Sequence, residues 1–93
     1  MNQRTLTIWK YELPMVGLFT LDLPVGAIPL SVQMQHKKPF LWVLLHSTGT
    51  TEKRTFLLTG TGHEIKELDL EFIGTFQMLD GDFVFHLFEK KLG

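Results

Sequence analysis

Residues 69–88 constrain the fold more than any other stretch of this chain. Two runs rich in aromatic and β-branched residues flank Asp80-Gly81. Aspartate and glycine tolerate the positive φ that tight hairpin turns demand, so the segment is expected to form a β-hairpin. Alternation sends Phe83, Phe85 and Leu87 of the second arm one way and Val84 and Phe88 the other, with His86 between the last two. An edge strand facing water would not be apolar on both sides. The arm is therefore expected to be buried twice or covered by a partner chain, which makes Phe83, Val84, Phe85 and Phe88 candidate interface residues.

The rest of the chain reads in the same period of two. Leu6 to Leu13 puts Trp9, Tyr11 and Leu13 on one face and Lys10 and Glu12 on the other, and Pro14 ends it. Val16 to Leu23 is a second strand, with Phe19, Leu21 and Leu23 on one side, followed by a turn at Pro24-Val25-Gly26. In Ile28 to Gln35, Ile28, Leu30, Val32 and Met34 are expected to face inward and Ser31, Gln33 and Gln35 outward. His36 to Pro39 is a polar hairpin loop. Phe40 to His46 is a continuous apolar run suited to a central strand with both faces covered. After a polar loop from Ser47 to Lys53, Arg54 to Thr59 forms another strand, broken by Gly60-Thr61-Gly62. Residues 63–68 allow at most one short helical turn, and a charged tail is expected from Glu89 to Gly93. These features predict an all-β fold: a small antiparallel β-sandwich or bent barrel of about seven short strands.

Length allows one domain, residues 1–93. The absence of cysteine excludes disulfides, thiolate nucleophiles and cysteine-ligated zinc, and fits a reducing cytoplasm. Net charge is −1, and the basic residues come as the short pairs Lys37-Lys38, Lys53-Arg54 and Lys90-Lys91, so no strong nucleic-acid signal emerges. Met1 to Thr7 is polar, and the longest apolar run, Phe40 to Leu45, is too short to cross a bilayer, so no membrane association is expected. Yet 44% of the residues are hydrophobic and eight are phenylalanine. One small core does not readily hide that much apolar surface, and a homo-oligomer is the expected outlet.

Catalytic chemistry has little support. Neither Ser31 nor Ser47 sits in a Gly-x-Ser-x-Gly turn, and His36, His46, His63 and His86 lack the helical spacing of a zinc enzyme. No catalytic residue, metal site or cofactor is expected. His86 is read as a partly buried histidine bonded to a neighbouring strand, and His46 as capping the polar end of its strand. The most site-like loop is Gly60-Thr61-Gly62-His63, which serves either as a strand-ending turn or as a cradle of backbone N–H groups for an anion. As a cradle it would hold a nucleotide phosphate while Trp42 or Tyr11 stacks the base. As anchors, those two aromatic residues would pack the core instead.

Trp9-Lys10-Tyr11-Glu12-Leu13, Pro24-x-Gly26-Ala27, Leu30-Ser31-Val32-Gln33-x-Gln35, Leu41-Trp42, Gly60-Thr61-Gly62-His63, Phe72-Ile73-Gly74-Thr75 and Val84-Phe85-His86-Leu87-Phe88-Glu89 resemble, in this order, segments of a family of small uncharacterised proteins encoded by tailed phages and prophages. That resemblance implies a host bacterial cytoplasm. It also implies a stoichiometric role: binding a host enzyme, blocking an anti-phage defence component, sequestering a signalling nucleotide, or serving as an accessory virion piece.

Overall fold

A computed structural model describes residues 5–14, 17–46 and 49–91. Seven strands follow one another: β1 (Leu6–Glu12), β2 (Gly17–Pro24), β3 (Ile28–Gln35), β4 (Lys38–His46), β5 (Thr51–Gly60), β6 (Leu70–Met78) and β7 (Phe83–Lys90). They form two antiparallel sheets, one ordered β1-β4-β3 and the other β2-β5-β7-β6. The two strands read as apolar on both sides, β4 and β7, each lie between two neighbours. An interior strand spends its ladder bonds on both flanks and leaves only its faces to bury.

The sheets pack face to face. Leu23, Leu41, Val43, Phe56 and Leu87 are fully buried between them, and the Phe19 and Phe56 rings stack at 5.6 Å. The packing is closest where β3 passes β6. A Cβ at Gly74 would lie 2.9 Å from Val32 Cγ1, so only glycine fits there.

The structure revises several sequence expectations. Residues 36–39 tighten to a two-residue turn, with His36 and Lys37 at φ 53° and 67°, and Lys38 already belongs to β4. Both central residues of such a turn adopt positive φ because its twist matches that of the flanking strands. The turn at Asp80-Gly81 widens to four residues, 79–82, closed by Gly81 N–H donating to Met78 O (3.1 Å) and Asp82 N–H to Leu79 O (3.0 Å). β5 begins three residues earlier than expected, at Thr51. Val16, the expected start of the second strand, lies outside the described residues, as do Ser47 and Thr48 of the polar loop and the last two residues of the tail.

Two corrections bear on function. The alternation expected for β3 fails at its start, because the register shifts between Pro29 and Ser31. That bulge moves Ile28 to the solvent side, opposite Leu44, and leaves Leu30 exposed. Second, Glu89 does not begin a frayed tail. It sits on the inward side of β7 with Phe85 and Leu87, and its side chain is 6% exposed. Lys91 N–H then donates to Asp69 O at 2.8 Å.

Residues 61–69 form no helix. A lone helical turn carries the nucleation cost without a face to pack. β5 and β6 run parallel with β7 between them, so this stretch must cross β7 on the outside of the sheet. Leu57 and Thr59 point outward by alternation and are nevertheless buried on that side.

Candidate functional site

Three surfaces combine shape with chemistry, and two of them lie at opposite ends of the sandwich. At the β1 start and the β2–β3 turn, Arg54 reaches into the space between the sheets. Its Nε and Nη2 donate to Glu89 Oε2 and Oε1 at 2.5 and 2.9 Å, and Nη1 donates to the Ala27 carbonyl at 2.7 Å. The hydrogen bond to Glu89 pushes the Arg54 pKa up, with the Glu89, Glu52 and Glu71 charges adding to it against the opposing effect of burial. Lys91 bridges to Glu71 at 3.0 Å and Glu89 at 3.7 Å, and the Glu71 bond raises its pKa as well. Nearby, Trp9, Tyr11, Asp22, His46 and Thr51 border a hollow of about 230 Å³. Burial raises the Tyr11 pKa, and His46 Nδ1 is buried with no partner among the described residues.

The other end is open and apolar. There the β6–β7 turn brings Met78, Leu79, Phe83 and Phe85, the end of β1 brings Leu13 and Pro14, and Pro39 comes from β4. With the core residues Leu58 and Phe76 behind them, they line an open hollow of about 410 Å³. Charge is confined to Glu12, Lys37 and Lys38. Lys38 meets Glu12 only at 3.8 Å with both side chains more than half exposed, and Lys37 has no ion-pair partner among the described residues.

The third surface is the outer face of the three-stranded sheet. Register places Ile8, Leu44 and Ile28 in one row across it, and Lys10, Trp42 and Ser31 in the next but one. Leu6, opposite His46, continues the same face two residues further along β1, and Phe40 packs edge-on against Trp42 with Lys10 Nζ 4.6 Å from the Phe40 ring centre. Ile8 and Ile28 are 55% and 54% exposed. Nothing in the periodicity of β3 marks Ile28 as outward. The Pro29 that follows it was the one available signal, because proline in a strand accompanies edges and bulges.

The residues singled out from sequence are not brought together. Trp42 lies on the outer face of the three-stranded sheet, beside Ser31, Gln33, Met34 and Gln35. Tyr11 is on the opposite, inward face of that sheet, across from Leu41. Gly60-Thr61-Gly62-His63 follows β5 in the other sheet. In that loop, Thr61 N–H donates to Val84 O and His63 N–H to Gly60 O, both at 3.1 Å. The His63 ring rests where a Gly60 Cβ would be, within 3.2 Å. Two of the N–H groups that would cradle an anion are therefore engaged in the turn itself.

His86 is bonded as read from sequence: Thr75 Oγ1 lies 2.9 Å from its Nδ1 and Thr61 Oγ1 2.7 Å from its Nε2. It ties β6, β7 and the crossing connection together. The four candidate interface residues divide between the faces of β7. Phe83 and Phe85 lean toward the open end, their rings 6.4 Å apart, while Val84 and Phe88 point outward, Phe88 against Phe72. Among the described residues no three His, Asp or Glu side chains gather as a metal site, and no helix is long and apolar enough to cross a membrane.

These features describe a small antiparallel β-sandwich locked by charge at one end and hollow at the other. The chain belongs to the DUF7352 family, a domain of unknown function, which matches it over residues 4–93. No curated protein and no solved structure matches it.

Proposed function

We propose that this protein is a non-enzymatic binding protein that pairs with a second copy through the outer face of its three-stranded sheet. The patch Leu6, Ile8, Ile28 and Leu44 on one face carries the reading, because large aliphatic side chains in neighbouring, outward-facing positions are the mark of an interaction surface. A two-fold axis would set the patch against its own copy, an arrangement that closes and does not polymerise. Three strands at ~4.8 Å spacing and seven residues at ~3.3 Å give a face of roughly 14 by 23 Å, below the size of a standard interface. The pairing is accordingly reversible and concentration-dependent. The resemblance to tailed-phage and prophage proteins supports a host or anti-phage defence component as the target of the assembled form.

Sedimentation from sub-micromolar to millimolar protein tests the pairing. The expected result is a monomer–dimer equilibrium that Ile8→Lys/Ile28→Lys abolishes without lowering the unfolding temperature. A wild type that stays monomeric throughout overturns the reading, as does a growing series of assemblies, which would indicate pairing by strand edges.

A further inference from the structure

The hollow end carries an inference independent of the dimer face. Its lining is apolar except at the mouth, where Lys37 lacks an ion-pair partner among the described residues and Lys38 is held only loosely by Glu12. An open apolar hollow with a free ammonium at its edge complements a molecule with an apolar body and one anionic end. At roughly 30 Å³ per non-hydrogen group, comparable to a water in the liquid, the volume accepts about a dozen such groups. A ten-carbon carboxylate has that size.

Both lips of the mouth are also held in unusual backbone. Lys37 has φ 67° on one side and Leu79 has φ 52° on the other. A two-residue hairpin explains the first. The second lies in a turn of the same kind, since Leu79 and Asp80 both take positive φ (52° and 54°) and Gly81 N–H donates to Met78 O at 3.1 Å, so each lip is a short hydrogen-bonded turn. Asp80 and Asp82, in the same turn as Leu79, do not line the cavity, so its charged lining is one carboxylate and two ammonium groups.

We propose that the open end of the sandwich binds a medium-chain free fatty acid, with the acyl chain against Leu58, Phe76 and Met78 and the carboxylate at Lys37.

Calorimetric titration of decanoate and decanol into the wild type, with methyl NMR of Met78 and Leu79, tests this. Decanoate should bind saturably at one site per chain, move both sets of resonances, and bind tighter than decanol by up to about fivefold, the upper end for one exposed ion pair. Lys37→Gly keeps the turn geometry, since glycine adopts positive φ freely, and should reduce decanoate binding to the decanol level while leaving decanol unchanged. Equal affinity for the two ligands, or full decanoate affinity in Lys37→Gly, removes the carboxylate from the site and overturns the proposal. So do resonances that move at Ile8 and Ile28 in place of Met78, or that respond to protein concentration and not to decanoate, which would assign the cavity to a second copy. The Ile8→Lys/Ile28→Lys variant should bind decanoate as the wild type does, which separates failure here from failure of the dimer.

Discussion

The two ends of this sandwich close the same gap in different ways. At one, Arg54 holds Glu89 through two hydrogen bonds and the Ala27 carbonyl through a third, so charge fills the space between the sheets. At the other, rings and aliphatic chains line a space that nothing in the described residues fills. A buried ion pair is a poor source of net stability but punishes any loss of one partner, so it fixes geometry. An apolar hollow leaves geometry loose and surface available. The contrast is between an end closed by a buried ion pair and an end left as an open apolar hollow.

The sharpest way to break this contrast is Arg54→Leu. It leaves the Glu89 carboxylate buried with only the half-exposed Lys91 ammonium 3.7 Å away, and should cost about 3–4 kcal/mol in chemical denaturation, the lower part of the range for breaking a buried pair. Arg54→Leu/Glu89→Leu should recover most of that loss. A single-variant loss below about 1 kcal/mol would mean the end is not locked. Phe76→Ala at the hollow end should cost about 3 kcal/mol, the low side of the range for a buried phenylalanine, because one side of the ring already faces open space. A loss equal to that of Phe56→Ala, measured in parallel, would show the cavity to be packed in solution. Met78→Phe, which adds volume where there is room, should raise stability by about 0.5–1 kcal/mol and block decanoate. A destabilised Met78→Phe protein would count against the void.

The smallest effect is alkaline and belongs to the locked end alone. Tyr11 and Lys91 both titrate above their ordinary values of 10.0 and 10.5 in the folded protein. Folding thus favours the protonated form of each. Their contributions are complete below those ordinary values and disappear as pH rises through the folded ones. Stability should therefore decline above pH 10, and Tyr11→Phe with Lys91→Gln should flatten the decline. Because the Lys91 side chain is half exposed, most of the flattening should come from Tyr11→Phe. An unchanged alkaline slope would detach both groups from the lock.

The strand pattern was legible because alternation is a local property. Trp9, Tyr11 and Leu13 share a side, Phe40 to His46 is central, and the aromatic hairpin supplies an interior strand, all as the periodicity implied. The surfaces proposed for binding were less legible. One extra residue at the β3 bulge reverses the side on which Ile28 emerges, and a period-of-two reading has no means of detecting a single insertion. Glu89 looked like tail because its partner, Arg54, is 35 positions away. The hollow end draws residues from β1, β4, β5 and both terminal hairpin arms, so no contiguous motif announces it. Gly60 to His63 stood out for the opposite reason: its glycines are conspicuous in sequence, and they lie at the end of β5, where two of the loop's N–H groups are engaged in backbone bonds.

The crossing of residues 61–69 over β7 also has a consequence for biogenesis. Polypeptides emerge amino end first, so β5 and β6 leave the ribosome before the strand that joins them, and β6, at the sheet edge, has no other ladder partner. Until β7 arrives, each presents a bare backbone edge. A nascent chain stalled at the Asp80-Gly81 turn would carry a ready acceptor for the aromatic arm of a neighbour, and strand exchange between copies would be its natural misassembly.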